Sequence, residues 1–240
     1  MSLDQKRARV FGVLYLITYV TSIPALLLYE PALRHPVGFV AGAGNVNKIY
    51  LGALLELLLI IANIGTAVVI VPIMRRQFEE LSIGYVTARI IESTFILVGI
   101  LAMLAIATLQ QETAGATEGT TAYTLAAIKD WTFNLGPGWV VGWGNGLILG
   151  YMMYRTQLVP RAWTWLGLVG GPLIIISGTV VMFGGDHGAG AFQGLATIPE
   201  GLWELFLGIY CTFKGFRPSA PILRADGRED RATVPAVTPA

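Results

Sequence analysis

Five acids, Glu56, Glu92, Asp130, Glu200 and Glu204, fall in or beside long apolar stretches of this chain, and against them stand two bases, Arg89 and Lys129. Charge inside hydrocarbon is expensive, so such residues turn toward the interior of a helix bundle and find partners there. Arg89 and Glu92 are three apart in TARIIES, which makes them neighbours on one helix face. Glu200 and Glu204 are four apart in PEGLWELFLG and share a face in the same way. Asn63 and Asn145 supply amides at comparable depth. With acids in excess, the surplus carboxyls must carry a proton or reach water. Glu56 and Glu200 lie nearer the outer interface, where a solvated position is the expectation. Two uses fit the set Glu56, Asn63, Arg89, Glu92, Asn145 and Glu204: a ligand pocket, or a path for protons or ions. A third reading is structural, with Arg89 and Glu92 as an ion pair that ties the third helix to its neighbours.

The elements that must hold these residues follow from composition. The 240 residues are 54% hydrophobic and only 13% charged, with mean hydropathy +0.63. A soluble domain carries nearer a quarter charged residues, so lipid is the solvent here. Six segments are long and apolar enough for a span of roughly 20 residues: about 9–29, 50–74, 84–109, 134–154, 161–183 and 195–216. The first follows Lys6, Arg7 and Arg9, but its apolar run is too long for a secretory signal and is retained as a span. Twelve of the sixteen lysines and arginines fall on one side of these spans. They are Lys6, Arg7, Arg9, Arg75, Arg76, Arg155, Arg161, Lys214, Arg217, Arg224, Arg228 and Arg231, against Arg34 and Lys48 opposite. The positive-inside rule then puts both termini in the cytoplasm. The expected fold is an all-α membrane protein, a six-helix transmembrane bundle over residues 1–217 in the inner (cytoplasmic) membrane. Residues 218–240, rich in Pro, Ala, Arg and Asp, read as a disordered cytoplasmic tail.

Gly138, Gly142, Gly146 and Gly150 recur every fourth residue in LGPGWVVGWGNGLILGYMMYRTQLVPR. On an α-helix they form one stripe almost free of side chains. Each glycine costs a soluble helix about 1 kcal/mol relative to alanine, whereas in a bilayer small residues let helix backbones approach closely. The stripe reads as a packing surface, within one chain or between two copies. Between Glu30 and Lys48 the chain reads as a turn-rich outer connection, and YTLAAIKDWTFN as a helix lying along the interface.

Other function classes are excluded or disfavoured. A net charge of +1 argues against nucleic acid. One cysteine, Cys211, excludes an internal disulfide, and two histidines, His35 and His187, both in outer loops, severely limit metal or haem chemistry. An intramembrane zinc hydrolase wants about three protein ligands, and no GxSxG elbow is present. A retinal-type Schiff base needs a buried lysine, yet Lys129 and Lys214 sit at span ends. No cofactor and no metal are expected, and no catalytic residue is assigned. The preferred reading is a non-enzymatic bundle whose partners are the bilayer and a small amphipathic ligand that it binds or passes, or a membrane protein that it accompanies, a second copy included. An intramembrane lipid-modifying enzyme and a proton- or ion-coupled carrier remain the alternatives.

The chain resembles an uncharacterised prokaryotic membrane-protein family, domain of unknown function 4386, over roughly residues 8–217. The resemblance rests on RVFGVLYLITYVTSIPALL, on ARIIES, on LGPG followed by LGYMMYRTQLVPRAWTWLGLVGG, and on IPEGLWELFLGIYCTFKGF. It implies a multi-span integral membrane protein without an established activity. The family pattern falls here on Arg89, Glu92, Gly136, Pro137, Gly150, Tyr151, Arg155, Pro160, Arg161, Glu204, Lys214 and Gly215. Tyr210-Cys211 departs from it.

Overall fold

Helix is what this sequence requires in lipid, because each backbone N–H and C=O must find its partner within the segment. The computed structural model describes residues 1–112, 116–185 and 190–223, and among these there are helices, turns and no strand. Helix α1 runs Leu3–Arg34. Ser2 caps it by accepting from the Gln5 N–H at 3.3 Å, and Asp4 lies in its first turn, at the positive end of the helix dipole. A single turn, α2 (Pro36–Gly38), and a π-helical turn (Phe39–Ala43) lead to α3, Val46–Met74. Asn45 caps α3 by accepting from the Asn47 N–H at 3.0 Å. Helix α4, Glu79–Glu112, carries two acids in its first turn.

The next stretch is one continuous helical path of changing pitch. It comprises α5 (Ala116–Leu135), π-helical segments Gly136–Val140 and Gly142–Leu149, and α6 (Gly150–Thr156). Gln157, in the left-handed region at φ 57°, ends it. Helices α7 (Arg161–Met182) and α8 (Ala191–Phe213) complete the bundle.

By length and composition, α1, α3, α4 and α7 are apolar enough to cross a membrane. The outer faces of all the long helical stretches carry large apolar side chains, among them Val20, Leu54, Leu101, Trp143, Ile176 and Leu202. Asp4 pairs with Arg76, with contacts of 3.0 and 3.1 Å, Gln5 donates to the Phe216 carbonyl, and the Arg217 N–H donates to Leu158 O at 2.9 Å. The start of α1, the α3–α4 link, the α6–α7 link and the segment after α8 therefore meet at one end.

Three apolar clusters fill the bundle, the smallest being Ala53, Leu59, Ile96 and Ile100 between α3 and α4. The first, at the end where these links meet, includes Phe11, Tyr15, Ile73, Tyr85, Met152 and Trp203. The second joins Tyr29, Phe39, Val40, Met103, Ile106 and Ala122. The Glu30–Lys48 connection is thus a packed cap rather than a plain turn, and the Gln110 side chain ties it down by donating to Gly44 O at 2.8 Å. Helix α5 packs along α4 through Ala122 and Ala126 rather than lying apart on the interface. At the other boundary, Ala220 and Ile222 are buried in the first cluster, so packing continues past residue 217 to Leu223. Residues 224–240 of the expected tail lie outside the described residues.

Of the four glycines, Gly142, Gly146 and Gly150 face α7, and Gly138 does not. Gly142 and Gly146 meet α7: a Cβ on Gly142 would stand 2.6 Å from Gly171 O, and one on Gly146 would stand 2.9 Å from Gly171 N. Gly150 has ordinary clearance to Leu168, and Gly138 faces the Phe133 carbonyl.

Candidate functional site

The buried polar side chains form three groups. In the first, Arg89 and Glu92 lie three apart on α4 and join at 2.8 Å, with the ion pair almost wholly buried. Helix α3 completes it: Asn63 Nδ2 donates to Glu92 Oε1 at 2.9 Å, and Arg89 Nε donates to Thr66 Oγ1 at 3.2 Å. The guanidinium also lies 5.5 and 6.0 Å from the ring centroids of Tyr15 and Tyr85, a cation–π arrangement that replaces lost hydration.

The second group is a directed relay. Tyr15 donates to Asn145 Oδ1 at 3.1 Å, which leaves the Tyr85 hydroxyl, 3.0 Å away, to donate to Tyr15. Asn145 Nδ2 then donates to Glu204 Oε1, and Trp203 Nε1 donates to Asn145 O at 3.0 Å. From Tyr85 through Tyr15 and the Asn145 side chain, each donated proton points toward Glu204, while Trp203 holds the Asn145 main chain. Asn145 is fully buried, and its amide is used on both sides, as a buried polar group requires.

The third group is Lys129 on α5, whose Nζ lies 2.6 and 2.8 Å from the two carboxylate oxygens of Glu56 on α3. The ammonium also sits 5.0 Å from the Tyr29 ring centroid.

A cavity of about 260 Å³ lies between these groups. Glu56, Lys129, Asn63, Glu92, Glu200 and Glu204 all line it. Tyr19 closes one side by donating to Gly201 O, which joins α1 to α8. The exposed lining residues Ile23, Leu26, Phe133 and Thr197 mark the mouth. Three of these are apolar, and the Thr197 hydroxyl is occupied by donating to Gln193 O at 2.8 Å. Most of the lining is apolar, with Leu59, Ile96 and Ile174 contributing, and the carboxyl, ammonium and amide groups are set into it as a minority.

Several sequence expectations meet a different arrangement. Glu56 and Glu200, placed near a solvated interface, are only 8% and 1% exposed. Lys129, placed at a span end, is 4% exposed and ion-paired. Of the six polar candidates, Glu56, Asn63, Glu92 and Glu204 line the cavity, while Arg89 and Asn145 stand behind it and hold Glu92 and Glu204. Sequence reasoning passed over Tyr15, Thr66, Tyr85 and Lys129 as members. The polar run Tyr15, Thr18, Tyr19, Thr21 and Ser22 in a lipid-embedded helix was the available signal, and Thr18, Tyr19 and Ser22 line the cavity. Asp130 is exposed and takes no part. His35 is exposed at the end of α1, and His187 lies outside the described residues.

Residues 10–215 match the family described as Domain of unknown function (DUF4386). The chain belongs to that family. No curated protein and no solved structure matches it. The matched range holds every cavity-lining residue, from Thr18 to Glu204. The family description carries no activity, so function has to be argued from the site itself.

Proposed function

We propose that this protein is a six-span inner-membrane bundle, both termini cytoplasmic, that binds a small amphipathic molecule taken from the outer half of the bilayer. The observation that carries this reading is the cavity itself, a largely apolar space with carboxyls and an ammonium set in its walls and an apolar mouth. At about 260 Å³ it is slightly smaller than typical small-molecule sites of about 300–1,000 Å³. That suits a headgroup inside with its tail left in lipid. The apolar outer faces of α8 and of the Gly136–Thr156 stretch support counting both as spans alongside α1, α3, α4 and α7. Meeting of the N-terminal segment and the segment after α8 at one end supports an even number of crossings, and the lysine and arginine bias supports the cytoplasmic side.

The role proposed is binding or passage rather than catalysis. Apart from Glu200, the charged and amide groups of the site are committed to one another as ion pairs and a hydrogen-bond relay, and among the described residues no nucleophile is held against a base as covalent catalysis needs.

Thermal unfolding of the purified full chain in detergent, across a panel of lipids and amphipathic metabolites, tests this. A ligand that binds only the folded state raises the midpoint in a saturable way. Expected is saturable stabilisation by at least one amphiphile, lost in the cavity-filling double variant Ser22→Leu/Gly201→Leu. A panel without any stabilising compound, or equal stabilisation of the filled variant, contradicts the reading.

A further inference from the structure

Charge inside the cavity is unbalanced. Four carboxyls, Glu56, Glu92, Glu200 and Glu204, face or line it, against two cations, Arg89 and Lys129. Lys129 is committed to Glu56 and Arg89 to Glu92. Glu204 takes the Asn145 amide on one oxygen, a neutral partner. Glu200 has none: both its carboxylate oxygens are buried without a hydrogen-bond partner, and the residue is 1% exposed.

This is the costliest way to leave a carboxyl, because a buried polar group without a partner loses its whole hydration. The fold nonetheless makes room for it. A Cβ on Gly146 would stand 2.9 Å from Glu200 Oε2, and one on Gly170 would stand 3.0 Å from the same oxygen. Two glycines thus wall the slot that holds the carboxyl beside the cavity. A carboxyl kept in such a slot without a protein partner is the feature that points to a partner from outside the chain.

We infer that the ligand is cationic, an alkyl primary ammonium, held at Glu200 and Glu204 with its tail leaving through the mouth at Ile23, Leu26 and Phe133. This rests on the binding role proposed above and assigns the ligand its charge. A primary ammonium offers three N–H donors and no acceptor, which matches the two unpartnered oxygens of Glu200 and the carboxyl of Glu204 one turn away. The Tyr19 ring, which also lines the cavity, adds a surface suited to a cation. A carboxylate or phosphate headgroup would add to the surplus of acids, and an alcohol supplies one donor where an ammonium supplies three and the charge that holds both carboxyls ionised.

The test uses the full chain in zwitterionic lipid nanodiscs, with decylammonium, decanol and decanoate as matched probes at neutral pH. Thermal unfolding is followed against probe concentration for wild type and Glu200→Gln. Decylammonium is expected to raise the midpoint saturably, with decanol and decanoate flat. Glu200→Gln should weaken the apparent affinity about tenfold or more, since truncating one partner of a desolvated charge pair costs at least that much. Equal stabilisation by decanol or decanoate overturns the charge assignment while leaving the binding role standing. Decylammonium binding that is unchanged in Glu200→Gln removes Glu200 from the site. If none of the three probes stabilises, the cationic ligand and its binding site fall together. The wild-type comparison across probes decides the charge even if the variant fails to fold.

Discussion

Lys129 Nζ lies 2.6 and 2.8 Å from the two carboxylate oxygens of Glu56, joining α5 to α3 beside the cavity that both residues line. The pair is almost enclosed, with side-chain exposures of 5% and 11%. Removing one member of such a pair strands the other and costs about 3–5 kcal/mol. Glu56→Gln and Lys129→Met should each destabilise by amounts of that order. The double variant should lose much less than their sum, because neither charge is then stranded. Chemical unfolding of the four proteins in one detergent measures this, and strict additivity argues against a coupled pair.

Arg89 is held more specifically than by charge. Its guanidinium reaches Glu92 and Thr66 while lying near the faces of Tyr15 and Tyr85. Lysine supplies neither the planar fork nor the flat face. Arg89→Ala should cost about 3–5 kcal/mol, and Arg89→Lys should recover only a minor part of it. Wild-type stability in Arg89→Lys, read from the same unfolding curves, shows that charge alone suffices.

How much of this was legible can be judged residue by residue. Arg89 and Glu92 sit three apart on one helix, so their meeting follows from helical geometry alone. Glu56 and Lys129 are far apart in sequence, and a single chain gives no sign of which helices become neighbours. Lys129 beside Asp130, with Trp131 and Phe133 close by, has the composition of an interfacial segment. Glu200 was misjudged for a related reason. Distance along a helix indicates depth in the membrane, while burial depends on which face a neighbour covers, and α7 covers Glu200 through Gly170. Helical stretches were readable from apolar runs, but the π pitch at Gly136–Leu149 was not, because glycines every fourth residue look the same in either pitch.

Glycine contacts predict a graded response. Gly146→Ala and Gly171→Ala each force a Cβ against facing backbone and should cost about 1–3 kcal/mol, the range for overpacking. Gly194→Ala meets nothing within 4 Å and should be neutral or slightly stabilising, alanine being the better helix former. Unfolding midpoints that fail to separate Gly146 and Gly171 from Gly194 would remove close backbone approach as the reason for glycine there.

Single-cysteine labelling addresses the crossings. Cys211 is buried and should stay silent toward an impermeant maleimide. On intact cells, Lys48→Cys and Phe183→Cys should label, while Glu80→Cys and Ser219→Cys should label only after the membrane is opened. The reverse pattern inverts the orientation, and labelling of Lys48→Cys and Phe183→Cys from opposite sides breaks the six-span count.

Native mass spectrometry of protein released gently from its own membrane addresses the cavity most directly. Wild type is expected to retain one equivalent of a bound amphiphile, and Ser22→Leu/Gly201→Leu, with the cavity filled, to retain none. Wild type released empty, or equal retention by both proteins, contradicts a binding role for the cavity.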